Sequence, residues 1–273
     1  MFREIATGLY LQPSLLYQTN CVVARDALGV TCIDPGYFET EVLAARALFD
    51  RLAAAQPGLR VLALTHSDFD HIVGAPAFDD LQIATHAAWD AANEERARGV
   101  LRRFDAEHYI ERSLQLRGAV RRDIRVEDGQ ELGAFQCWGA QGHTDDGLVL
   151  FHRPTNALIV GDYLSDCEFP FIYTSAGRYH AALERFTGLI RDLRPELLIS
   201  QHGRPAAGST EISRRLDESR AYLGALLSAA AGAADPEDAA RRSEGAWRGA
   251  VPEHLWEQHV RNARIAVREA QGG

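Results

Sequence analysis

Between positions 66 and 71 the chain reads His66-Ser67-Asp68-Phe69-Asp70-His71, placing four metal-ligand side chains within one short segment. Imidazole nitrogen and carboxylate oxygen both coordinate divalent cations, and a cation so held acidifies water and polarises carbonyl or phosphoryl oxygens. On a strand His71 would face away from the other three, and on a helix Asp68 would point away from His66 and Asp70. A loop at the carboxyl end of a strand lets all four converge, and layered α/β folds carry their sites on such loops. Three later segments repeat the form of an apolar run closed by a polar turn: Gly142-His143-Thr144, Gly161-Asp162-Tyr163 and Gln201-His202-Gly203. Singly, each is an ordinary loop or cap residue; jointly they point to metal binding around one centre or two.

The elements that must position these residues are legible as alternating apolar strands and amphipathic helices, which argues for an α/β layered fold. Residues 21–25 and 29–33 predict a hairpin around Asp26-Ala27-Leu28. A helix is expected from Glu39 to Ala55 with Leu43, Ala47, Leu48 and Leu52 on its buried face, followed by a strand at 60–64 that delivers the first motif. Residues 87–118 predict a charged helical insertion. Strands are expected at 135–139, 148–152, 157–160 and 197–200, a helix at 179–193, and mostly helix over 210–273. With no flexible linker or repeat visible, one domain spanning 1–273 is expected.

Composition removes several function classes. The chain has 273 residues and a net charge of -9, and all 29 of its basic residues are arginine. Without lysine, Schiff-base chemistry and Walker-type phosphate loops are excluded. The negative balance disfavours nucleic acid, leaving Arg96, Arg98, Arg102 and Arg103 as a local cationic run whose ordinary role is a solvated helix face. Cys21, Cys32, Cys137 and Cys167 form no close pair in sequence, so a reducing compartment, the cytoplasm, is expected. Glu4 interrupts any apolar leader, and the longest apolar run, 221–234, reads as a buried helix rather than a membrane span. The expected partner is a small-molecule substrate, with neither nucleic acid nor membrane, and with a homodimer as the common oligomer.

The four motifs in this order resemble the metallo-β-lactamase-fold superfamily, whose signature H-x-H-x-D-H is followed by single His, Asp and His residues on later strand ends. Here the first motif has Asp68 where most members carry a second His. Asn20 and the Ile33-Asp34-Pro35-Gly36 turn also resemble the superfamily's opening, so the likeness spans about residues 5–205. It implies a four-layer αββα sandwich with a helical insertion. It also implies one metal held by His66, Asp68 and His143, a second held by Asp70, His71 and His202, and Asp162 bridging them. Zinc is the first expectation, and the carboxylate at 68 shifts the preference toward manganese or iron. Three carboxylates against two divalent ions leave a single positive charge, which a bridging hydroxide would neutralise.

The implied activity is hydrolysis by that hydroxide, with Asp70 orienting it and relaying its proton. Asp34 and Thr144 are the candidates for accepting the outer N–H bonds of the imidazoles. Asp68 has a second reading, as a cap for the following helix. Tyr163, Phe169, Phe171 and Tyr173 either line an apolar substrate pocket or pack in the core. The substrate expected first is an ester, thioester or lactone. Alternatives are a phosphodiesterase, with Arg178 and Arg204 as nearby cations, a non-hydrolytic iron protein handling oxygen or a persulfide, and a degenerate binding module. Cys167 is expected as a small packed side chain.

Overall fold

Two sheets stand face to face, and the candidate ligands occupy their common end. The computed structural model describes residues 1–116 and 118–272. Position 117, within the expected insertion, and position 273, at the end of the expected C-terminal helices, lie outside the described residues. The first sheet runs β1 (Arg3–Ala6), β2 (Leu9–Pro13), β3 (Asn20–Asp26), β4 (Gly29–Ile33), β5 (Leu59–Ala63), β6 (Gln82–His86) and β7 (Ile124–Val126) in spatial order. It is antiparallel through β4 and parallel from β4 to β7. Parallel neighbours need crossovers: α1 (Glu39–Ala55) joins β4 to β5, the single turn α2 (Phe69–Ile72) follows β5, and α3 (Ala91–Glu107) lies between β6 and β7.

The second sheet orders β8 (Glu131–Leu132), β9 (Phe135–Ala140), β10 (Gly147–His152), β11 (Ala157–Ile159), β12 (Leu197–Ile199) and β13 (Ala206–Ala207) from one edge to the other. Helix α4 (Ala176–Leu193) joins β11 to its parallel neighbour β12, and α5 (Ser209–Ala231), α6 (Pro236–Ser243) and α7 (Trp256–Gly272) complete the chain. Alternation assigns the layers. On β3, Val22 and Ala24 face the second sheet while Cys21 and Val23 face α1. On β10, Leu148 and Leu150 point into the inter-sheet core while Val149 and Phe151 meet the C-terminal helices. The result is the expected αββα sandwich, in which both faces of the central strands are dry.

Two expectations are corrected here. The buried face of α1 consists of Val42, Ala45, Leu48, Phe49, Leu52 and Ala53, whereas Leu43 is half exposed and Ala47 is exposed. A run of four apolar residues at 42–45 permits more than one face, and packing against β3 and β4 selects the one carrying Phe49. Among its described residues the stretch 87–118 is α-helical over Ala91–Glu107, and it forms part of the crossover between two strands of the sheet. The chain beyond that helix is instead held by side chains: Arg112 binds Asp105 at 2.7 Å and the Tyr37 carbonyl at 2.7 Å. Among the described residues no helix is long and apolar enough to cross a membrane.

Candidate metal centre

Strand β5 ends at Ala63, and the chain then turns so that His66 and Asp68 lie on a loop while Asp70 and His71 ride on α2. Loop and single-turn helix together bring the four side chains to one end of the sandwich, where the chain after β9 adds His143, that after β11 adds Asp162, and that after β12 adds His202. Donor atoms of His66, Asp68, His143 and Asp162 lie within 4.8 Å of one another, and so do those of Asp70, His71 and His202. Asp162 is central: its carboxylate is 3.4 Å from His66 Nε2, 3.3 Å from His143 Nε2, 3.3 Å from His71 Nε2 and 3.0 Å from His202 Nε2. Asp70 Oδ2 is 3.5 Å from the Nε2 atoms of both His71 and His202, and it accepts a 2.9 Å hydrogen bond from Thr19.

Each imidazole is fixed through its other nitrogen. His71 Nδ1 donates to Asp34 at 2.9 Å, His143 Nδ1 to the Phe171 carbonyl at 2.8 Å, and His202 Nδ1 to the Tyr17 carbonyl at 2.9 Å. His66 Nδ1 meets Thr65 Oγ1 at 3.0 Å, and that hydroxyl is itself committed as donor to Asp34 at 2.6 Å. In the neutral rings, Nδ1–H donation leaves four Nε2 lone pairs turned inward. They approach in pairs, His66 with His143 and His71 with His202, each at 3.3 Å. Facing lone pairs repel unless something positive lies between them, and Asp162 Oδ1 is buried without a hydrogen-bond donor. This donor set fits divalent cations.

Electrostatics agrees. Burial works against charging the imidazoles, yet the surrounding carboxylates win. Asp162 and Asp68 lift His143 to about 10, Asp162 with Asp70 raises His71, and Asp162, with Glu168 and Asp70 adding to it, raises His202. Asp162 is held below the usual carboxylate range by the three histidines His202, His71 and His66 despite its burial. The pocket therefore favours positive charge, whether protons or metal.

Asp34, the first of the two candidate outer partners, lies directly behind His71. Fully buried, at φ 46°, it accepts from Thr65 N–H and Oγ1–H, from His71 and from Gln201 Nε2 at 2.7 Å. Left-handed backbone is uncommon outside glycine, but the short polar side chain of Asp tolerates it. The expectation for Thr144 is corrected. Its hydroxyl has no partner among the described residues, because the turn aims the outer nitrogen of His143 at the Phe171 backbone instead. The capping alternative for Asp68 is also set aside. Its side chain accepts no cap hydrogen bond and turns to His143, 3.4 Å away.

A cleft of about 600 Å³ opens over Asp68, Asp70, Asp162 and His202. Of the four aromatic candidates, Phe171 and Tyr173 line it. Tyr163 and Phe169 do not: Phe169 stacks on Tyr222 in the core, and the buried Tyr163 hydroxyl accepts the His143 backbone N–H at 3.1 Å. Two residues read otherwise or missed in the sequence stand in this cleft. Cys167 is exposed there rather than packed, and Glu168 approaches Asp162 and His202 closely enough to share a cation with them. Burial, with Asp162 adding to it and His202 opposing, lifts Glu168 to about 7. No motif marks Glu168, and only its place in the loop after β11 reveals it.

Fold and site together define a two-sheet sandwich that gathers histidines and carboxylates at one end. The sequence profile of the metallo-β-lactamase superfamily matches residues 15–202, and the chain belongs to that superfamily, most of whose members are metal-dependent hydrolases. A metallo-β-lactamase family protein from Thermus thermophilus is similar in structure at TM-score 0.66 and 19% identity, over 98% of this chain and 94% of that one. A stereoselective inverting sec-alkylsulfatase from a Pseudomonas species gives TM-score 0.69 and 14% identity over 98% of this chain, which spans only 50% of the alkylsulfatase. The protein TTHA1623, solved in a di-iron-bound form, gives TM-score 0.54 and 24% identity over 72% of this chain and 93% of its own. No curated protein sequence matches the chain.

Proposed function

We propose that the protein is a metal-dependent hydrolase that cleaves an ester, thioester or lactone bond. The observation that carries this reading is the inward convergence of four anchored imidazoles on the Asp162 carboxylate, at the floor of an open cleft. His66, Asp68 and His143 would hold one divalent ion, Asp70, His71 and His202 the other, and Asp162 both. When bound, such ions supply an acidified water and polarise the scissile carbonyl. Asp70, which accepts a hydrogen bond from Thr19 and lines the cleft, would take up a proton from the nucleophile and return it to the leaving group. Leu15, Phe69, Phe171 and Leu255 give the cleft an apolar wall suited to an acyl chain.

Zinc is proposed first. Asp68 beside His143, and the irons of one structural relative, support manganese and iron as substitutes. Four free cysteines, with Cys167 exposed, support a reducing compartment such as the cytoplasm. The test is turnover of thioester, lactone and bis-nitrophenyl phosphate substrates by protein reconstituted with zinc, manganese or iron. Cleavage of a thioester or lactone above the phosphate diester supports the reading. No turnover with any metal sinks it, and a coloured iron form from anaerobic purification would then favour oxygen or persulfide chemistry.

A further inference from the structure

Beside the apolar wall the cleft has a second lobe of about 700 Å³, joined to the first through Asp68, Phe69 and Tyr173. Its wall carries three guanidinium groups, Arg96 and Arg103 from α3 and Arg261 from α7. Among the described residues none of the three is ion-paired. Arg96 reaches only the Asn93 side chain, Arg261 lies over the Tyr173 ring at 5.0 Å, and Arg103 has no hydrogen-bond partner. Their neighbours on α3 are different: Arg98 binds Glu94 and Glu95, and Arg102 binds Glu95. Among the described residues Glu95 is the one acid on this wall besides Asp68, and those pairings already offset its charge.

The cations expected from sequence proximity are occupied elsewhere. Arg178 is paired with Asp145 at 2.9 Å and Arg204 with Asp166 at 2.9 Å. Arginine stays charged at any accessible pH and presents a planar fork of donors to carboxylate or phosphate. Three such groups, brought from remote segments onto one wall in a chain with net charge -9, form a local positive field directed at the metal-centre end of the cleft. Arg261 is also positioned: it rests on Tyr173, whose ring lies 4.8 Å from that of His143. Two ring contacts thus separate this charge from the candidate ligands, which suits an anion several bonds away from the scissile carbonyl.

Resting on the hydrolase reading, we propose that this lobe is the subsite for a negatively charged arm of the substrate, so that the substrate class is an ester or thioester with an apolar acyl chain and an anionic leaving portion. The reaction is plain hydrolysis. Water's oxygen bonds to the acyl carbon, the carbon–sulfur or carbon–oxygen bond breaks, one proton passes to the leaving group, and the carboxylic acid ionises.

The test compares thioesters of one acyl chain on 3-mercaptopropionate and on its methyl ester, using zinc-loaded protein. The anionic thioester should be preferred by about tenfold or more in kcat/KM, mainly through KM, and salt should erode that preference. Arg261→Gln, and Arg96→Gln combined with Arg103→Gln, should collapse the ratio toward one, while Arg102→Gln should leave it in place. Equal use of both thioesters by the wild type, or variants that lose both in proportion, would overturn the subsite. If neither thioester is cleaved, the hydrolase reading has failed separately. Calorimetric titration with the unreactive thioether analogue of the anionic compound then decides the subsite: binding weakened about tenfold by the same variants supports it, and unchanged binding rejects it.

Discussion

The floor and the walls of the cleft are made by different means. On the floor, the four imidazoles and Asp162 are at most 9% exposed, and each ring is tied to backbone or to a buried side chain. On the walls, Leu15 is 92% exposed and Arg96, Arg103 and Arg261 are exposed, carried by the loop before β3 and by α3 and α7. The difference separates reactivity from recognition. The candidate cation-holding groups follow closely on strand ends, and hydrogen bonds from their outer ring nitrogens to backbone and buried side chains limit their freedom. Groups that would choose a substrate sit on outer helices, where a change of side chain leaves the sandwich intact.

The comparison breaks most severely at Asp162. Asp162→Ala should reduce bound metal to less than one ion per chain by elemental analysis. It should also lower turnover by more than about a thousandfold, because water then loses most of its roughly nine-unit gain in acidity. One layer outward, Asp34→Ala should cost about 10- to 100-fold in metal affinity or activity. It should also shift the urea midpoint down, since each buried donor left unpaired costs about 1–3 kcal/mol. An unchanged midpoint would show that the Asp34 bonds are not holding the floor.

A pH series sharpens the contrast between metal-free and metal-loaded floors. In the metal-free chain, His143 is lifted to about 10 by Asp162 and Asp68, against an unfolded value of about 6.5. The folded state then binds more protons than the unfolded one, so this contribution is fully present below about pH 6.5 and is lost as pH rises through about 10. Urea midpoints of chelator-treated protein should therefore fall across that window, and saturating metal should remove the fall, because the cation replaces the proton. The smallest effect is expected at Thr144, whose hydroxyl has no partner among the described residues. Thr144→Val should leave turnover within about twofold and stability unchanged or slightly raised. A large loss there would restore the outer role that its sequence position suggested.

How much of this is legible in the sequence follows the same division. The hairpin of β3 and β4 and the span of α1 are written in local apolar patterns and turn residues, and both are readable. The floor is readable because its ligands follow apolar runs in a compatible order. The face of α1 is not, since adjacent apolar residues at 42–45 leave the choice to tertiary packing. β1, β2 and β6 are short or mixed runs that local pattern does not mark as strands. Glu168 and Arg261 are hidden for another reason: nothing beside them in sequence marks them, and only the folding of the 164–175 loop and of α7 around the cleft brings them near the cluster.

Asp34 unites groups that arrive from both halves of the chain: Thr65 and His71 from the first sheet's end, Gln201 from the second's. Three of its four hydrogen bonds come from its own half of the chain, and the fourth, from Gln201, ties that half to the other directly behind His71. One carboxylate thereby couples the seam between the two sheets to the aim of a candidate ligand, so a disturbance of either would be felt at the other.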